Sequence, residues 1–526
     1  MKKLFFFLSC ALLMMATTTW AAWQPDDKKI IPLDGDRITD DDVKVMRTSD
    51  GSFVHTWIYP DTATVSGEKR DILAIQMQVY SKDGVPSFGE HGIRLVNQPT
   101  SSAEFGYSVA EASNGDLLLA YADARSSKAT ELKTELYIYR FKKDGTPVWS
   151  ATGVKVPVKH THETDIIHTL DMQPTFCVSG DNIYLHMYRE ETYVEGETKM
   201  AYQNVQLFGI KPSDGSALWA ILEEWRMAHF TPCENGDAYL LYSGSDGKMF
   251  GNRMDKNGAS VWSAPVEIGG VVGMGVILPA EPNCALDEDG NLMLGYYVYP
   301  GESSLIRQQV MNRLTKDGKV LSAPVCGDAV SVGYVQDKTA SAARGNSMFL
   351  AWSWYYPGSG DDTKYIHANA FNTDGSYSWS TIGQNAVVLC EHQGESDKAV
   401  GVVPQDNGWV VVYFRGTKLY QGNLHVTKLS DAGEVMWTKQ LGKDSIDYNT
   451  VSMTYDDKNA YIVYSSWNGV KGMFAICTDI TDEHNLPSSV ATVPEERKGT
   501  MKVMRNGMLY IIREGKTYNA QGAIVE

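Results

Sequence analysis

Asn114-Gly115-Asp-Leu-Leu-Leu-Ala-Tyr121-Ala-Asp123-Ala-Arg125, then Glu135-Leu-Tyr-Ile-Tyr-Arg-Phe141, then Asp144-Gly145-Thr-Pro-Val-Trp149 is one copy of a unit that recurs along this 526-residue chain. Its Asn-Gly and Asp-Gly pairs provide the positive φ that tight hairpin turns require, and the runs between them, rich in Val, Leu, Tyr and Trp, read as strands. The first turn of the unit recurs at Asp50-Gly51, Ser179-Gly180, Asn235-Gly236, Asp289-Gly290, Arg344-Gly345, Asn407-Gly408 and Lys458-Asn459, at intervals of 51 to 65 residues. The second recurs at Asp83-Gly84, Asp214-Gly215, Asn257-Gly258, Asp317-Gly318, Asp374-Gly375 and Ala432-Gly433. In five units a tryptophan stands four residues beyond that glycine: Trp149, Trp219, Trp262, Trp379 and Trp437. Two hairpins per unit make four antiparallel strands, and no long amphipathic helical pattern interrupts the series.

A sheet of this composition is partly apolar on both faces, so neighbouring units must stack, and a ring does this without an open end. The sequence therefore predicts an all-β chain: a β-propeller of eight four-stranded blades from about Asp42 to Ile480, with seven blades and one degenerate unit as the alternative count. The last unit has a third strand near Gly472-Met-Phe-Ala-Ile-Cys477 but no following glycine turn with tryptophan. Lys28-Lys-Ile-Ile-Pro-Leu33 is available to supply its fourth strand and close the ring.

Lys2 and Lys3, an apolar run from Leu4 to Met15 and small residues up to Ala22 have the order of a secretory signal peptide cut after Ala21. Cys10 is not read as a lipoprotein cysteine, because the apolar stretch continues five residues past it. The predicted organisation is signal peptide 1–21, propeller 22–486, linker 487–498 and C-terminal β-segment 499–526. No later stretch approaches the roughly 20 apolar residues that span a bilayer, so no transmembrane span is expected and the protein is placed outside the cytoplasm: periplasmic, at the cell surface or extracellular. The formal charge is -17, and removing Lys2 and Lys3 takes it to -19. Such a surface repels phosphate backbones, which excludes nucleic acid as an expected partner. Cys177, Cys233, Cys284, Cys326, Cys390 and Cys477 are spread with no CxxC pair, so buried free thiols are expected rather than a zinc site or a disulfide framework.

Uniform hairpin turns join the first to the second and the third to the fourth strand, so both kinds lie on one face. The opposite face carries the variable connections, predicted near Asp61–Arg70, Ser126–Thr134, Glu190–Lys199 and Tyr355–Thr363, and near His160–His168, Glu223–His229 and Glu391–Asp397. Recognition residues concentrate on such loops. The second strands end in aromatic residues, most of which serve the interior, but Tyr299, Trp354, Tyr355, Tyr356 and Trp467 fall at or beyond strand ends on the loop face. Flat rings there suit sugar faces or peptide side chains. His160-Thr-His162-Glu163-Thr-Asp165-Ile-Ile-His168 is the one dense group of metal-ligand types, with His160 and His162 on one side of an extended segment. Its bland alternative is a polar surface loop. Asp123, Arg125, Arg189, Glu190, Asp361, Asp362 and Arg415 are the acids and arginines of the same face from which a carboxylate pair for glycoside cleavage would have to come. Sequence spacing assigns no catalytic residue among them.

The repeat, with its second strand ending in Asp123-Ala-Arg125, its Asp144-Gly145 turn, Trp149 and Gly153-Val154, resembles the repeat of exported propellers of Bacteroidetes type. The resemblance implies fold and export and no agreed activity, and Asp123 and Arg125 stand at its motif. The tail from Gly507 to Gly522 resembles short C-terminal sorting-like β-segments of secreted proteins of that group, without the final strands of the longer ones. Lys211-Pro-Ser-Asp-Gly-Ser-Ala-Leu-Trp219 is similar to a quinoprotein repeat, but there is no adjacent cysteine pair, and the Asp-Gly spacing differs from sialidase boxes. No cofactor is therefore expected. The reading is a secreted, non-catalytic binding or scaffold propeller whose loop face recognises a glycan or an exported protein. The competing readings are a polysaccharide-acting glycoside hydrolase or lyase, and a structural partner in a surface complex.

Overall fold

The computed structural model describes residues 23, 28–32, 43–65, 68–89, 91–98, 106–125, 133–161, 166–196, 198–225, 227–244, 248–268, 283–298, 308–322, 334–355, 363–372, 378–379, 387–393, 397–418, 421–447, 451–466, 472–482, 501–505, 508–513 and 516–519. Eight four-stranded antiparallel sheets follow one another along the chain. Blade 1 is Lys44–Arg47, Phe53–Val65, Glu68–Tyr80 and Ile93–Gln98, and blade 2 is Tyr107–Glu111, Leu117–Asp123, Glu135–Phe141 and Val154–Lys155. Blade 3 comprises Ile166–Ser179, Asn182–Glu195, Thr198–Ile210 and Ala217–Glu223; blade 4 comprises Met227–Pro232, Ala238–Ser243, Met249–Met254 and Val266–Glu267. Blades 5, 6 and 7 begin at Asn283–Leu286, Tyr334–Arg344 and Asp397–Gln405. A separate compact unit, Asp482–Glu526, contains the three-stranded sheet Met501–Arg505, Met508–Arg513 and Lys516–Asn519. The segments read as signal peptide and linker lie outside the described residues.

Blade 8 is completed from the other end of the chain. Its strands Ser452–Tyr455, Asn459–Ser466 and Gly472–Asp479 accept Lys28–Pro32 as the fourth, antiparallel to Gly472–Asp479 with Lys28 opposite Ala475 and Pro32 opposite Gly472. The ring is also tied at its inner strands, where the Val45 and Arg47 amides donate to Ser452 Oγ at 3.1 Å and Thr454 Oγ1 at 3.2 Å. Trp23 fills the joint, buried against Phe53, Tyr80 and Tyr461 at ring distances of 4.9, 5.6 and 5.1 Å.

Between blades the core is a series of apolar layers. Leu118, Ala120, Leu136 and Ile138 of blade 2 meet Ile183, Leu185, Met187 and Phe208 of blade 3, and alternate residues of the same blade 3 strands meet Ala228, Phe230 and Leu240 of blade 4. Period-2 alternation in each strand thus serves two neighbours at once.

The repeated turns have a second task. Trp149, Trp219, Trp262 and Trp379 each donate the indole N–H to a backbone carbonyl in the second turn of the next blade: Pro212 at 3.0 Å, Lys256 at 2.9 Å, Lys316 at 3.0 Å and Asp431 at 2.8 Å. Each ring lies directly on the glycine of that turn, so that a Cβ on Gly215, Gly258, Gly318 or Gly433 would come within 2.6 to 2.9 Å of it. Nearer the axis, Tyr184 and Tyr239 donate to Gly236 O and Gly290 O, both at 2.8 Å, in the first turn of the following blade. Tryptophan and glycine therefore form one device split between neighbours. Several connections predicted as loops are instead long hairpins. Blade 1 continues in strand to Val65 and from Glu68, and blade 3 to Glu195 and from Thr198. Their β-branched residues favour strand, and the polar ones are tolerated because these hairpin tips lie beyond the apolar interblade layers.

Gly258→Ala is expected to lower the stability of the ring by about 2 kcal/mol or more, through backbone strain at φ +78° and overlap with Trp219. Trp219→Phe, which keeps a ring and removes the donor, should cost about 1 kcal/mol. Urea midpoints followed by fluorescence would measure both. Burial holds the His55 imidazole at about 3, below its ordinary 6.5, and neither ring nitrogen has a hydrogen-bond partner in the protein. Its contribution to stability is therefore present above pH 6.5 and lost as pH falls towards 3, because only the unfolded chain takes up the proton. His55→Phe should flatten the acid limb of a melting-temperature profile across that window.

Candidate functional site

On the loop face the apolar layers between blades 1 and 4 end in three different caps. The first closes the joint between blades 1 and 2. Asp123, buried at the end of the second strand, accepts from the Arg125 amide at 3.0 Å, while Arg125 Nε lies 2.9 Å from both carboxylate oxygens. The same guanidinium donates to Tyr139 Oη at 2.7 Å and lies 3.5 Å above the centre of the Tyr137 ring, a cation–π arrangement. Gly153 makes this possible, since a side chain there would collide with Tyr139 at 2.6 Å. Burial pushes the Asp123 carboxyl upward and Arg125 opposes it.

The second cap closes blades 2 and 3 with a chain of charges. Arg189 donates from Nη1 to Asp171 Oδ1 at 2.6 Å and from Nε to Glu191 Oε1 at 2.9 Å, and all three side chains are buried. Glu191 Oε1 in turn accepts from His160 Nδ1 at 3.0 Å, and Oε2 from the Thr161 amide at 3.0 Å. His160 Nδ1 also lies 3.3 Å from Arg189 Nη2, so the half-exposed imidazole sits between a carboxylate acceptor and a guanidinium donor. Blade 2 reaches across: Lys133 bridges to Thr169 and Thr134 Oγ1 accepts from the Asp171 amide at 2.6 Å. Burial pushes Asp171 up to about 7 against the pull of Arg189, and its Oδ2 has no hydrogen-bond partner in the protein.

The third cap, between blades 3 and 4, is aromatic. Trp225, just after the fourth strand of blade 3, stacks on Tyr242 with centroids 3.8 Å apart and planes 15° apart, and Tyr242 stacks on Phe250 at 5.4 Å and 20°. All three rings are half-buried, with Trp225 and Tyr242 packed against the apolar layer between blades 3 and 4. Glu223 and Glu224 immediately precede Trp225.

The structure brings Asp123 and Arg125 together and spends them largely on each other. It places His160 against Glu191, with His162 outside the described residues. Among the described residues no group of three or more His, Cys, Asp or Glu is arranged to hold a metal. Trp354 and Tyr355 end the second strand of blade 6, opposite Tyr365 and Lys364. Tyr299, Tyr356 and Trp467, together with Asp361 and Asp362, lie outside the described residues. Sequence reasoning missed Asp171, Glu191 and Trp225. The first two are single polar positions in strands, and Trp225 follows no turn glycine. Cys177 is buried, and Cys233, Cys284 and Cys477 are half-buried; Cys177, Cys233 and Cys477 are free thiols.

The sequence matches no protein-family model, and no curated protein matches it. Solved structures similar in fold include the polysaccharide lyase Uly1, at 10% identity and TM-score 0.41 over 73% of this chain and 92% of that one. The Dos1 propeller is similar at 9% identity and TM-score 0.41, over 87% and 95% of the two chains. An α-L-arabinanase of Penicillium chrysogenum is similar at 14% identity and TM-score 0.32, over 71% and 93%. These distant neighbours include glycoside hydrolases and lyases as well as other propellers, and none assigns an activity here. Among the described residues no helix is long and apolar enough to cross a membrane.

Arg189→Met is expected to destabilise the protein by about 3–5 kcal/mol in urea titrations, because it leaves two buried carboxylates without their countercharge. Asp171, with a folded-state value of about 7 against 3.8, contributes stability that is full below pH 3.8 and lost as pH rises through 7. Asp171→Asn removes that slope, so its stability relative to wild type should improve between about pH 5 and about pH 8.

Proposed function

We propose that this protein is an exported, non-catalytic binding or scaffold propeller that recognises a glycan, or an exported protein, through the loop face of blades 2 to 4. The observation that carries the reading is the partly exposed Trp225–Tyr242–Phe250 stack. Stacked rings are held flat at little entropic cost and present apolar area beside polar neighbours, as sugar-binding surfaces need. The buried acids of the other two caps support binding over bond cleavage, since Asp123, Asp171 and Glu191 are each engaged by an arginine of their own blade. Export through the segment 1–21, with the tail as a sorting-like element, belongs to the same proposal.

A second reading, cleavage of a polysaccharide, draws on one feature. Glu191 and Arg189 hold Nδ1 of the half-exposed His160 imidazole, a group of the kind that serves proton transfer. It predicts new reducing ends or unsaturated sugars from a polysaccharide incubated with the protein, abolished by His160→Ala. The binding reading predicts retention on a glycan array without product. Trp225→Ala should weaken that retention at least about tenfold while the far-ultraviolet circular dichroism stays unchanged.

A further inference from the structure

The joint that closes the ring, between blades 8 and 1, is bonded differently from the joints after blades 3 and 4. Tyr461 holds in Asn459-Ala-Tyr461 the place that Tyr184 and Tyr239 hold in Asn182-Ile-Tyr184 and Asp237-Ala-Tyr239. Those two tyrosines donate across to the first turn of the next blade, whereas Tyr461 donates to Asp456 Oδ2 of its own blade at 2.7 Å. Blade 8 also has no tryptophan beyond a second turn, since Lys28–Pro32 is its fourth strand. Trp23 fills this joint instead, buried against Phe53 and Tyr461, and its Nε1 has no hydrogen-bond partner in the protein. Phe53, His55 and Trp57 alternate along one strand and Tyr80 stands opposite Phe53, so these side chains share the face turned to Tyr461, Val463, Met473 and Ala475 of blade 8. The Trp57 Nε1, the Tyr80 hydroxyl and both ring nitrogens of His55 are buried there, and no protein group bonds to any of them. Among the described residues, the hydrogen bonds that cross the joint are those from the Val45 and Arg47 amides to the Ser452 and Thr454 hydroxyls.

We infer that this joint is a gate built into the ring: blades 8 and 1 part and reclose as units while the other joints stay shut. A buried polar group without a partner costs the closed state its lost hydration, and it recovers water as soon as its joint opens. Trp23, His55, Trp57 and Tyr80 therefore all lower the cost of opening at one place, and local opening follows the least costly joint. Blade 8 keeps its four strands in the open form, because Lys28–Pro32 pairs within it. What becomes accessible is the aromatic face of Phe53, Trp57 and Tyr80 on one side and that of Tyr461 on the other.

Hydrogen exchange of the full-length protein at neutral pH, resolved to single amides, tests the gate. The Val45 and Phe176 amides make the same kind of bond, each to a serine hydroxyl on the inner strand of the preceding blade: Ser452 at 3.1 Å and Ser108 at 3.2 Å. Val45 is expected to exchange at least about a hundredfold faster than Phe176. Tyr80→Phe keeps the ring and removes the unpartnered hydroxyl, so it should slow Val45 exchange about tenfold. Cys477 packs against the same layer from the blade 8 side, and its labelling by iodoacetamide should slow by the same factor in that variant. Val45 exchange no faster than that of Phe176 would overturn the gate. So would a Tyr80→Phe variant with unchanged exchange, since the hydroxyl would then cost the closed joint nothing. Slower Val45 exchange with unchanged Cys477 labelling would place the opening in fraying of Lys44–Arg47 alone, which also overturns it.

Discussion

The pairing of Lys28–Pro32 with Gly472–Asp479 is the bond on which the ring depends. Without it blade 8 has three strands and an open edge along Gly472–Asp479. A propeller is stable as a sum of nearest-neighbour joints, and a single open joint exposes two apolar faces at once. Trp23 and the amide-to-hydroxyl bonds from Val45 and Arg47 reinforce the one joint that chain connectivity does not already hold.

Among the described residues, four of the other joints, those after blades 2, 3, 4 and 6, are reinforced by repetition. Each indole that reaches the next blade's turn needs a glycine to receive it and a carbonyl to accept its proton, so the spacing from glycine to tryptophan repeats because the blade-to-blade distance repeats. This explains why blade number and ring closure were legible in the sequence: glycine pairs mark backbone conformations that few other residues adopt, and they recur. The partner of each tryptophan was not legible, since Trp149 and Pro212 are 63 residues apart. Nor were the long hairpins of blades 1 and 3, whose polar residues read as loop because no neighbour blade demands apolar ones there.

The candidate site divides along the same line. Asp123 and Arg125 stand two residues apart and announce themselves as a pair; His160 stands out in a polar run. Asp171, Arg189 and Glu191 come from two strands and become neighbours only through antiparallel register, Asp171 opposite Arg189. Trp225 gains its meaning from Tyr242 and Phe250, which belong to the following blade. What sequence offers is local geometry, and a face built from three adjacent joints is a property of the ring.

The closing strand also sets an order of events. Lys28–Pro32 is made near the beginning and pairs with a strand near the end, so it must stay unpaired while every other blade is made. Contacts of such sequence separation form late and slowly. During that interval the outer edge of the last blade and the free N-terminal strand are complementary both within a chain and between chains, which makes exchange of this strand between two molecules the characteristic misassembly of the fold.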